Sequence, residues 1–227
     1  MKVRTIDING KPFTYQDEVE DITHESIEPI TEEQAGQLLE TVKRLFDRVG
    51  LNFYLAFGTL LGAVRDHGVI PGDEDVDVFT DNEALLRENL QFLQDSGLDL
   101  IRFVEGRVYS FRTNDRAYID VYILRKLRHS IWSLYCFHLD QYNTPKKYFR
   151  SYGQIEFLGG TYQCPSDPEQ ILEFWYGKSW RTPIKAHDFR YEVKSAYYWK
   201  KYTAKLKYFI QRMIGWYHWR HLVKKVD

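Results

Sequence analysis

A chain of 227 residues is long enough to bury a hydrophobic core, and it most simply forms one domain with additions. Hydrophobic residues make up 44% and charged residues 28%, which excludes a largely disordered or fibrous chain. The two cysteines exclude a disulfide framework, and no CxxC or HExxH motif indicates a zinc site. Because the sequence shows neither a secretion signal nor an apolar run of membrane-spanning length, we expect a cytoplasmic protein.

The first predicted elements are a hairpin and a helix. The dipeptide Asn9-Gly10 separates two short strand patterns and tolerates the positive φ of a tight turn, so residues 1–30 are predicted to form a hairpin appendage. Thr31 followed by Gln34 fits a capping box, and apolar residues then recur at helical spacing up to the next glycine. This pattern predicts a helix over about 31–49.

The centre of the chain predicts a mixed α/β sheet flanked by helices. Short apolar or alternating runs bounded by turn residues indicate strands, and leucines at helical spacing indicate helices. The predicted strands are 52–57, 74–80, 98–104, 107–112 and 117–124, and the predicted helices are 60–68, 82–96 and 168–176. The segment 132–139 fits a helix or a strand equally well.

Asp75 and Asp77 are the first candidate metal ligands. Residues two apart on a strand point to the same side, about 7 Å apart along the backbone. Like charges placed side by side oppose folding unless a cation neutralises them, and hard carboxylate oxygens suit Mg²⁺ or Mn²⁺. The alternative is a solvated acidic edge of the sheet.

Asp120 repeats this pattern, because it also stands between β-branched apolar residues in a predicted strand. A buried strand rarely contains a lone aspartate unless the side chain is paired or coordinates a metal. If the two strands are neighbours, Asp75, Asp77 and Asp120 could hold two metal ions roughly 4 Å apart for phosphoryl transfer. The alternative is a hydrogen-bonded core aspartate.

Gly58, Thr59 and Arg65 are the candidate phosphate ligands. A glycine turn that leads into a helix exposes backbone N–H groups to an anion, and Thr59 could cap that helix and touch the phosphate. Arg65 could reach a phosphate oxygen, or it could instead pair with the nearby acidic loop.

A long ordered motif carries a family resemblance. The stretch FGTLLGAVRDHGVIPGDEDVDVF, residues 57–79, resembles the LicD family, which includes bacterial phosphocholine transferases and fukutin-type ribitol-phosphate transferases. The family pattern is Gly-Ser/Thr-Leu-Leu-Gly-Ala-x-Arg followed by Ile-Pro-Trp-Asp-Asp-Asp-Ile-Asp, and residues 176–183 are similar to its Tyr-Gly-x-x-Trp-x-x-Pro segment. The first pattern is matched at Gly58, Thr59, Leu60, Leu61, Gly62, Ala63, Arg65, Ile70, Pro71, Asp73, Asp75 and Asp77. Gly72 replaces the family tryptophan, and Glu74 replaces the middle aspartate.

The resemblance implies a nucleotidyltransferase-type fold, with residues 31–190 as the catalytic domain. It implies a CDP-linked donor, such as CDP-choline or a CDP-polyol, from which phosphocholine or a polyol phosphate is transferred with release of CMP. The implied acceptor is a hydroxyl on a cell-surface glycan, such as lipopolysaccharide or teichoic acid, or on its lipid-linked precursor. For the catalytic base we consider Asp120 first and Asp73 second. The rival interpretations are a nucleotidyltransferase that acts on an NTP and a non-catalytic binding protein of the same fold.

The last predicted element is a cationic amphipathic helix over 191–227. Residues 194–227 carry nine basic and one acidic side chain, with aromatic and aliphatic residues at helical spacing. Such a helix could lie on the inner face of the membrane, or it could pack on the catalytic domain with its basic face in solvent. Nucleic-acid binding is a weaker third alternative.

Overall fold

The computed structural model describes residues 2–18, 28–113, 117–126, 135–140 and 142–183. The chain divides into two compact units, Met1–Leu172 and Glu173–Asp227. The central sheet and the acidic residues of the candidate site belong to the first unit.

A five-stranded mixed sheet forms the centre of the fold, as the sequence predicted. Its strands are β3 (Tyr54–Leu55), β4 (Val76–Thr80), β5 (Asp99–Val104), β6 (Val108–Arg112) and β7 (Tyr118–Ile123). They lie in the order β3-β4-β7-β6-β5, and β4 and β7 are the parallel pair. All five residues of β4 are buried, so this strand lies inside the fold with both of its faces covered.

Along the chain, helices precede and separate the strands of this sheet. Helix α1 (Glu32–Val49) begins at the predicted capping box, and it ends where Gly50 adopts a left-handed φ of 72°. Helix α2 (Phe57–Leu61) starts three residues earlier than predicted and continues into a π-helical turn, Gly62–Asp66.

The predicted helix over 82–96 is divided into α3 (Glu83–Glu88) and α4 (Leu90–Asp95). Asn89 lies at the break, with φ −102° and ψ 6°. Its side-chain amide donates to the carbonyl of Leu85 at 2.8 Å. This local hydrogen bond competes with the helical ladder, which explains why one leucine pattern produces two helices.

The first hairpin pairs β1 (Lys2–Ile8) with β2 (Lys11–Asp17), and both turn residues, Asn9 and Gly10, have positive φ as predicted. Two further hairpins pair β8 (Cys136–Leu139) with β9 (Tyr142–Pro145), and β10 (Tyr152–Phe157) with β11 (Gly160–Pro165). The segment for which helix and strand fitted equally well therefore ends as a strand over 136–139.

The last described helix is α5 (Pro168–Tyr176), which stops before Gly177 as predicted. Within the described residues, no helix is both long and apolar enough to cross a membrane. The predicted amphipathic helix over 191–227 lies outside the described residues, so it stays a prediction.

Candidate metal centre

Three carboxylates meet where β4 and β7 run side by side. Asp77 in β4 is paired in register with Asp120 in β7, and Asp75 lies one residue before β4. One oxygen from each of the three side chains lies within 4.8 Å of the others. The structure thus brings together the three acids that the sequence predicted to converge. We call Asp75, Asp77 and Asp120 the triad, and this cluster could hold a metal ion.

The electrostatics of this cluster favour a bound cation. Asp77 is 8% exposed and Asp120 is 2% exposed. Burial raises the pKa of Asp75 well above its usual range, and the charges of Asp77, Asp120 and Asp73 raise it further. The pKa of Asp77 is also raised, first by burial and then by Asp73 and Asp120. Because these carboxylates resist ionisation without a counter-ion, the donor set fits a hard divalent cation.

Gly58 lies against two of the acids. Its backbone N–H donates to Oδ2 of Asp77 at 2.9 Å. A Cβ at this position would stand 2.8 Å from Oδ2 of Asp73 and 3.1 Å from Oδ2 of Asp77, so only glycine fits without displacing a carboxylate. The prediction of a glycine turn ahead of the helix is therefore wrong, whereas the predicted contact of Gly58 with a phosphate stays a prediction. Gly58 lies inside the first turn of α2, and its N–H bonds Asp77.

The prediction that Thr59 caps α2 is wrong. The cap residue is Ala56, whose carbonyl accepts the N–H of Leu60 at 2.8 Å. The Thr59 hydroxyl instead accepts the backbone N–H of Asp77 at 2.8 Å, which fixes the backbone that carries a triad residue. The helix starts earlier than the sequence pattern indicated, and this shift changes the role of the threonine.

Arg65 has a partner that neither alternative named. Its guanidinium donates from Nε to Oδ1 of Asp66 at 2.9 Å and from Nη2 to Oδ2 at 2.7 Å. This two-point contact holds Arg65 against its sequence neighbour, and its contact with a phosphate stays a prediction.

Asp73 lies beside the triad, and its side chain approaches Gly58. Burial raises its pKa to about 6, although the Glu74 N–H, which donates to Oδ1 at 3.3 Å, lowers it in part. Gly72, which precedes it, has φ 87°. The glycine that replaces the family tryptophan thus adopts a left-handed backbone that a tryptophan could adopt only with strain.

Three residues that the sequence analysis did not identify hold Asp120. Ser110 donates its hydroxyl to Oδ1 at 2.5 Å, Tyr122 donates its hydroxyl to Oδ2 at 3.2 Å, and Arg102 forms an ion pair with Oδ2. The Arg102 Nε also donates to the Ser110 hydroxyl at 2.8 Å. Asp120 is therefore a hydrogen-bonded core aspartate that also lies in the triad, so the two sequence alternatives do not exclude each other, and its contact with a metal stays a prediction.

A cavity of about 1100 Å³ lies elsewhere in this unit. Its lining includes Asp81 and Asn82 after β4 and Leu124 and Arg125 after β7. These residues follow the carboxyl ends of the two strands, whereas Asp75 and Asp77 lie at the amino end of β4. The cavity is therefore lined by other residues than the triad.

The five-stranded mixed sheet flanked by helices, with Asp77 and Asp120 paired on adjacent strands, fits a domain of the nucleotidyltransferase type. The family model for the LicD/FKTN/FKRP nucleotidyltransferase domain matches residues 50–167, which is more than half of the 227-residue chain. The chain belongs to this family.

Individual relatives are more distant. The ribitol-5-phosphate transferase FKTN of Homo sapiens is 26% identical over 186 residues, which cover 78% of this chain and 39% of that protein. FKTN of Macaca fascicularis is 26% identical over 69% of this chain and 35% of its own length. An uncharacterized protein of Rickettsia prowazekii is 25% identical over 58% of this chain and 50% of its own. The chain thus spans well under half of the FKTN proteins it matches.

Solved structures of an antibiotic-resistance factor and of a lincosamide antibiotic adenylyltransferase are also similar. The solution structure of ANT(2'')-Ia has a TM-score of 0.49 at 12% identity and covers 80% of this chain and all of its own. The lincosamide adenylyltransferase LnuA has a TM-score of 0.44 at 13% identity over 70% of this chain and 96% of its own.

Proposed function

We propose that this chain is a phosphotransferase that moves a polyol phosphate, with ribitol phosphate first, from a CDP-linked donor to a glycan hydroxyl and releases CMP. Family membership and the converging carboxylates support this proposal. Residues 31–190 would supply the catalytic part. The observation that carries the proposal is that Asp75, Asp77 and Asp120 present oxygens within 4.8 Å of one another.

The proposed cofactor is Mg²⁺, with Mn²⁺ as a substitute, held by the three carboxylates. When bound, the ion would neutralise charge on the diphosphate of the donor. The surrounding residues keep the ligands in place: the Gly58 N–H fixes the Asp77 carboxylate and the Thr59 hydroxyl fixes its backbone. Ligands held in advance need not reorganise when charge develops in the reaction.

Asp73 is a better proposed base than Asp120, which the sequence had favoured. Both oxygens of Asp120 already accept hydrogen bonds from Arg102, Ser110 and Tyr122, so a proton would have to displace one of them. The only described hydrogen bond to the Asp73 carboxyl is a long one, 3.3 Å, from the N–H of Glu74. In the proposed step the acceptor oxygen bonds to phosphorus, the bond from phosphorus to the CMP oxygen breaks, and Asp73 takes the acceptor proton.

Ribitol phosphate is placed ahead of choline phosphate because of the curated relatives. The FKTN proteins of Homo sapiens and Macaca fascicularis that the chain matches are ribitol-5-phosphate transferases.

A donor screen tests the proposed reaction. The protein is incubated with Mg²⁺, a mixture of glycans that offer acceptor hydroxyls, and either CDP-ribitol, CDP-choline or the common NTPs. Released CMP and pyrophosphate are measured, with Asp77→Asn protein as the blank. We expect CMP from CDP-ribitol. Pyrophosphate from an NTP with no CMP from either CDP donor would favour a nucleotidyltransferase, and no product from any donor would favour a binding protein.

Membrane contact through residues 194–227 is a separate part of the proposal. Their excess of basic over acidic side chains would favour an anionic lipid surface, where a lipid-linked acceptor is found. Co-sedimentation with anionic liposomes, with and without these residues, checks it. Equal pelleting of the two proteins would remove the membrane contact.

A further inference from the structure

Arg102 owes its position to an irregularity in β5. The pairing of β5 with β6 shifts by one residue between Leu100 and Arg102, so that Arg102 lies opposite Ser110. Under the register set by Leu100 and Phe111, Ile101 would lie opposite Ser110 instead. A bulge of this kind re-aims side chains, and here it directs a cation at the acidic cluster.

The guanidinium is then fixed by two partners that also contact each other. Arg102 forms its ion pair with Oδ2 of Asp120 and donates from Nε to the hydroxyl of Ser110, which in turn donates to Oδ1 of Asp120. In register, Ser110 lies directly opposite Asp120. The three side chains form a closed network, so the cation and the carboxylate hold each other in one geometry.

The charge of Arg102 extends beyond its direct partner. One oxygen each of Asp75 and Asp77 lies within 4.8 Å of a carboxylate oxygen of Asp120, so a cation paired with Asp120 is close to all three acids. The Arg102 side chain is 25% exposed, against 3% for Asp120, so the interaction is only partly screened by water. With the three ligand carboxylates ionised, one fixed positive charge leaves two formal negative charges among these four groups.

We propose that Arg102 is a built-in counter-cation of the carboxylate cluster, which fixes Asp120 and lowers the affinity of the cluster for a divalent cation. This inference depends on the metal site in the proposed function. A cluster with moderate affinity leaves part of the ion's coordination to the phosphate oxygens of a substrate, which is how Mg²⁺ is commonly bound. Arg102 is a positioning residue, because it acts on the bound ion through Asp120.

Titration with Mn²⁺ tests the proposal without any substrate. Free Mn²⁺ is measured by electron paramagnetic resonance in the presence of the full chain and of each variant. For Arg102→Met and Arg102→Gln we expect binding to tighten by about tenfold or more, because a nearby positive charge is removed. A variant that merely damaged the fold would bind the ion more weakly, so the direction of the change separates the two causes.

Two variants serve as controls. Arg102→Lys keeps the charge but loses the planar fork, so we expect its Mn²⁺ affinity within about twofold of the wild type. Arg112→Met removes a positive charge from the neighbouring strand, where Arg112 pairs with the buried Glu18 at 2.5 Å and has no described contact with the triad. We expect its Mn²⁺ affinity to be unchanged. Circular dichroism establishes the folded fraction of every variant. Of the two neutral substitutions, Arg102→Gln is the milder, because glutamine keeps a hydrogen-bond donor for Asp120.

The proposal is overturned if both neutral variants are folded and bind Mn²⁺ no more tightly than the wild type. It is also overturned if Arg112→Met tightens binding as much as Arg102→Met, since the effect would then be one of net charge. A wild-type chain that binds no Mn²⁺ would remove the metal site and this inference together, whereas normal wild-type binding with unchanged neutral variants would remove only the role of Arg102.

Discussion

The two halves of the acidic cluster differ in how their charge is compensated. On the β7 side, Asp120 has an arginine, a serine and a tyrosine as hydrogen-bond donors. On the β4 side, burial and repulsion raise the pKa values of Asp75 and Asp77, and the Asp77 carboxylate accepts the N–H of Gly58. The described residues thus supply a cation to Asp120, whereas in the proposed function an ion from solution compensates Asp75 and Asp77.

This difference gives the halves separate roles. The β7 side is a preorganised anchor, whose geometry exists before any ion arrives. The β4 side gains most from an added cation, because its carboxylates are the ones that burial keeps from ionising.

The largest effect is expected for Asp77→Asn. Removing a metal ligand from the uncompensated side should lower the rate of CMP release by on the order of 10³-fold, because transition-state charge would lose its stabilisation. Initial rates with CDP-ribitol measure this loss. Asp81→Asn, which changes an acid near the end of the same strand and beside the separate cavity, is the matched control. Equal losses in the two variants would contradict the assignment of Asp77.

Asp73→Asn should have the next largest effect. Loss of a general base typically lowers kcat by about 10²-fold to 10⁴-fold, whereas the ion affinity should fall only by about tenfold because one nearby negative charge is lost. Steady-state kinetics and Mn²⁺ titration together separate the two quantities. Glu74→Gln, which changes the neighbouring acid, is the control. An unchanged kcat in the Asp73→Asn protein would show that another residue is the base.

Gly58→Ala should weaken ion binding by about tenfold, because outer contacts that orient metal ligands typically contribute at that level. The added methyl would meet Asp73 at 2.8 Å and Asp77 at 3.1 Å. Gly153→Ala is the matched control, since its nearest neighbour, the Cα of Ser166, would lie 3.7 Å away. Calorimetric titration with Mn²⁺ checks both, and a tight-binding Gly58→Ala protein would show that the carboxylates can move apart freely.

The smallest effect concerns pH and the stability of the metal-free protein. Asp73 has its pKa raised from 3.8 to about 6, and those of Asp75 and Asp77 are raised as well. The folded state therefore binds more protons than the unfolded state above the ordinary pKa, so stability falls as pH rises from about 4 through about 6 and beyond. Thermal unfolding of the wild type and of Asp75→Asn protein at pH 5 and pH 7.5 measures it, and the variant should lose less stability.

The same experiment with saturating Mg²⁺ provides the control. The ion favours the ionised carboxylates, so it should stabilise the protein more at pH 7.5 than at pH 5. An equal Mg²⁺ effect at both values would contradict the view that the β4 carboxylates need an external cation.

The acids of the triad could be predicted from sequence because their pattern is local. Asp75 and Asp77 are two residues apart, and Asp120 repeats the same apolar setting, so strand periodicity alone suggested a shared face. The parallel pairing of β4 with β7 then sets Asp77 beside Asp120. The pattern of strands and helices likewise led to the mixed sheet.

The residues that support Asp120 could not be predicted in the same way. Arg102 reaches Ser110 only because the register shifts between Leu100 and Arg102, and regular alternation gives no sign of such a bulge. The role of Thr59 was also missed, since the start of α2 moved by three residues and turned a predicted cap into a contact with the backbone of Asp77. Register and helix boundaries depend on tertiary packing, which a local pattern does not contain.

Calorimetric titration of Mn²⁺ into the wild type and into Asp75→Asn, Asp77→Asn and Asp120→Asn proteins tests the central claim most directly. We predict saturable binding to the wild type that each single substitution weakens by about 10²-fold or abolishes. Binding that persists unchanged in all three folded variants would contradict the claim that these carboxylates form the metal centre.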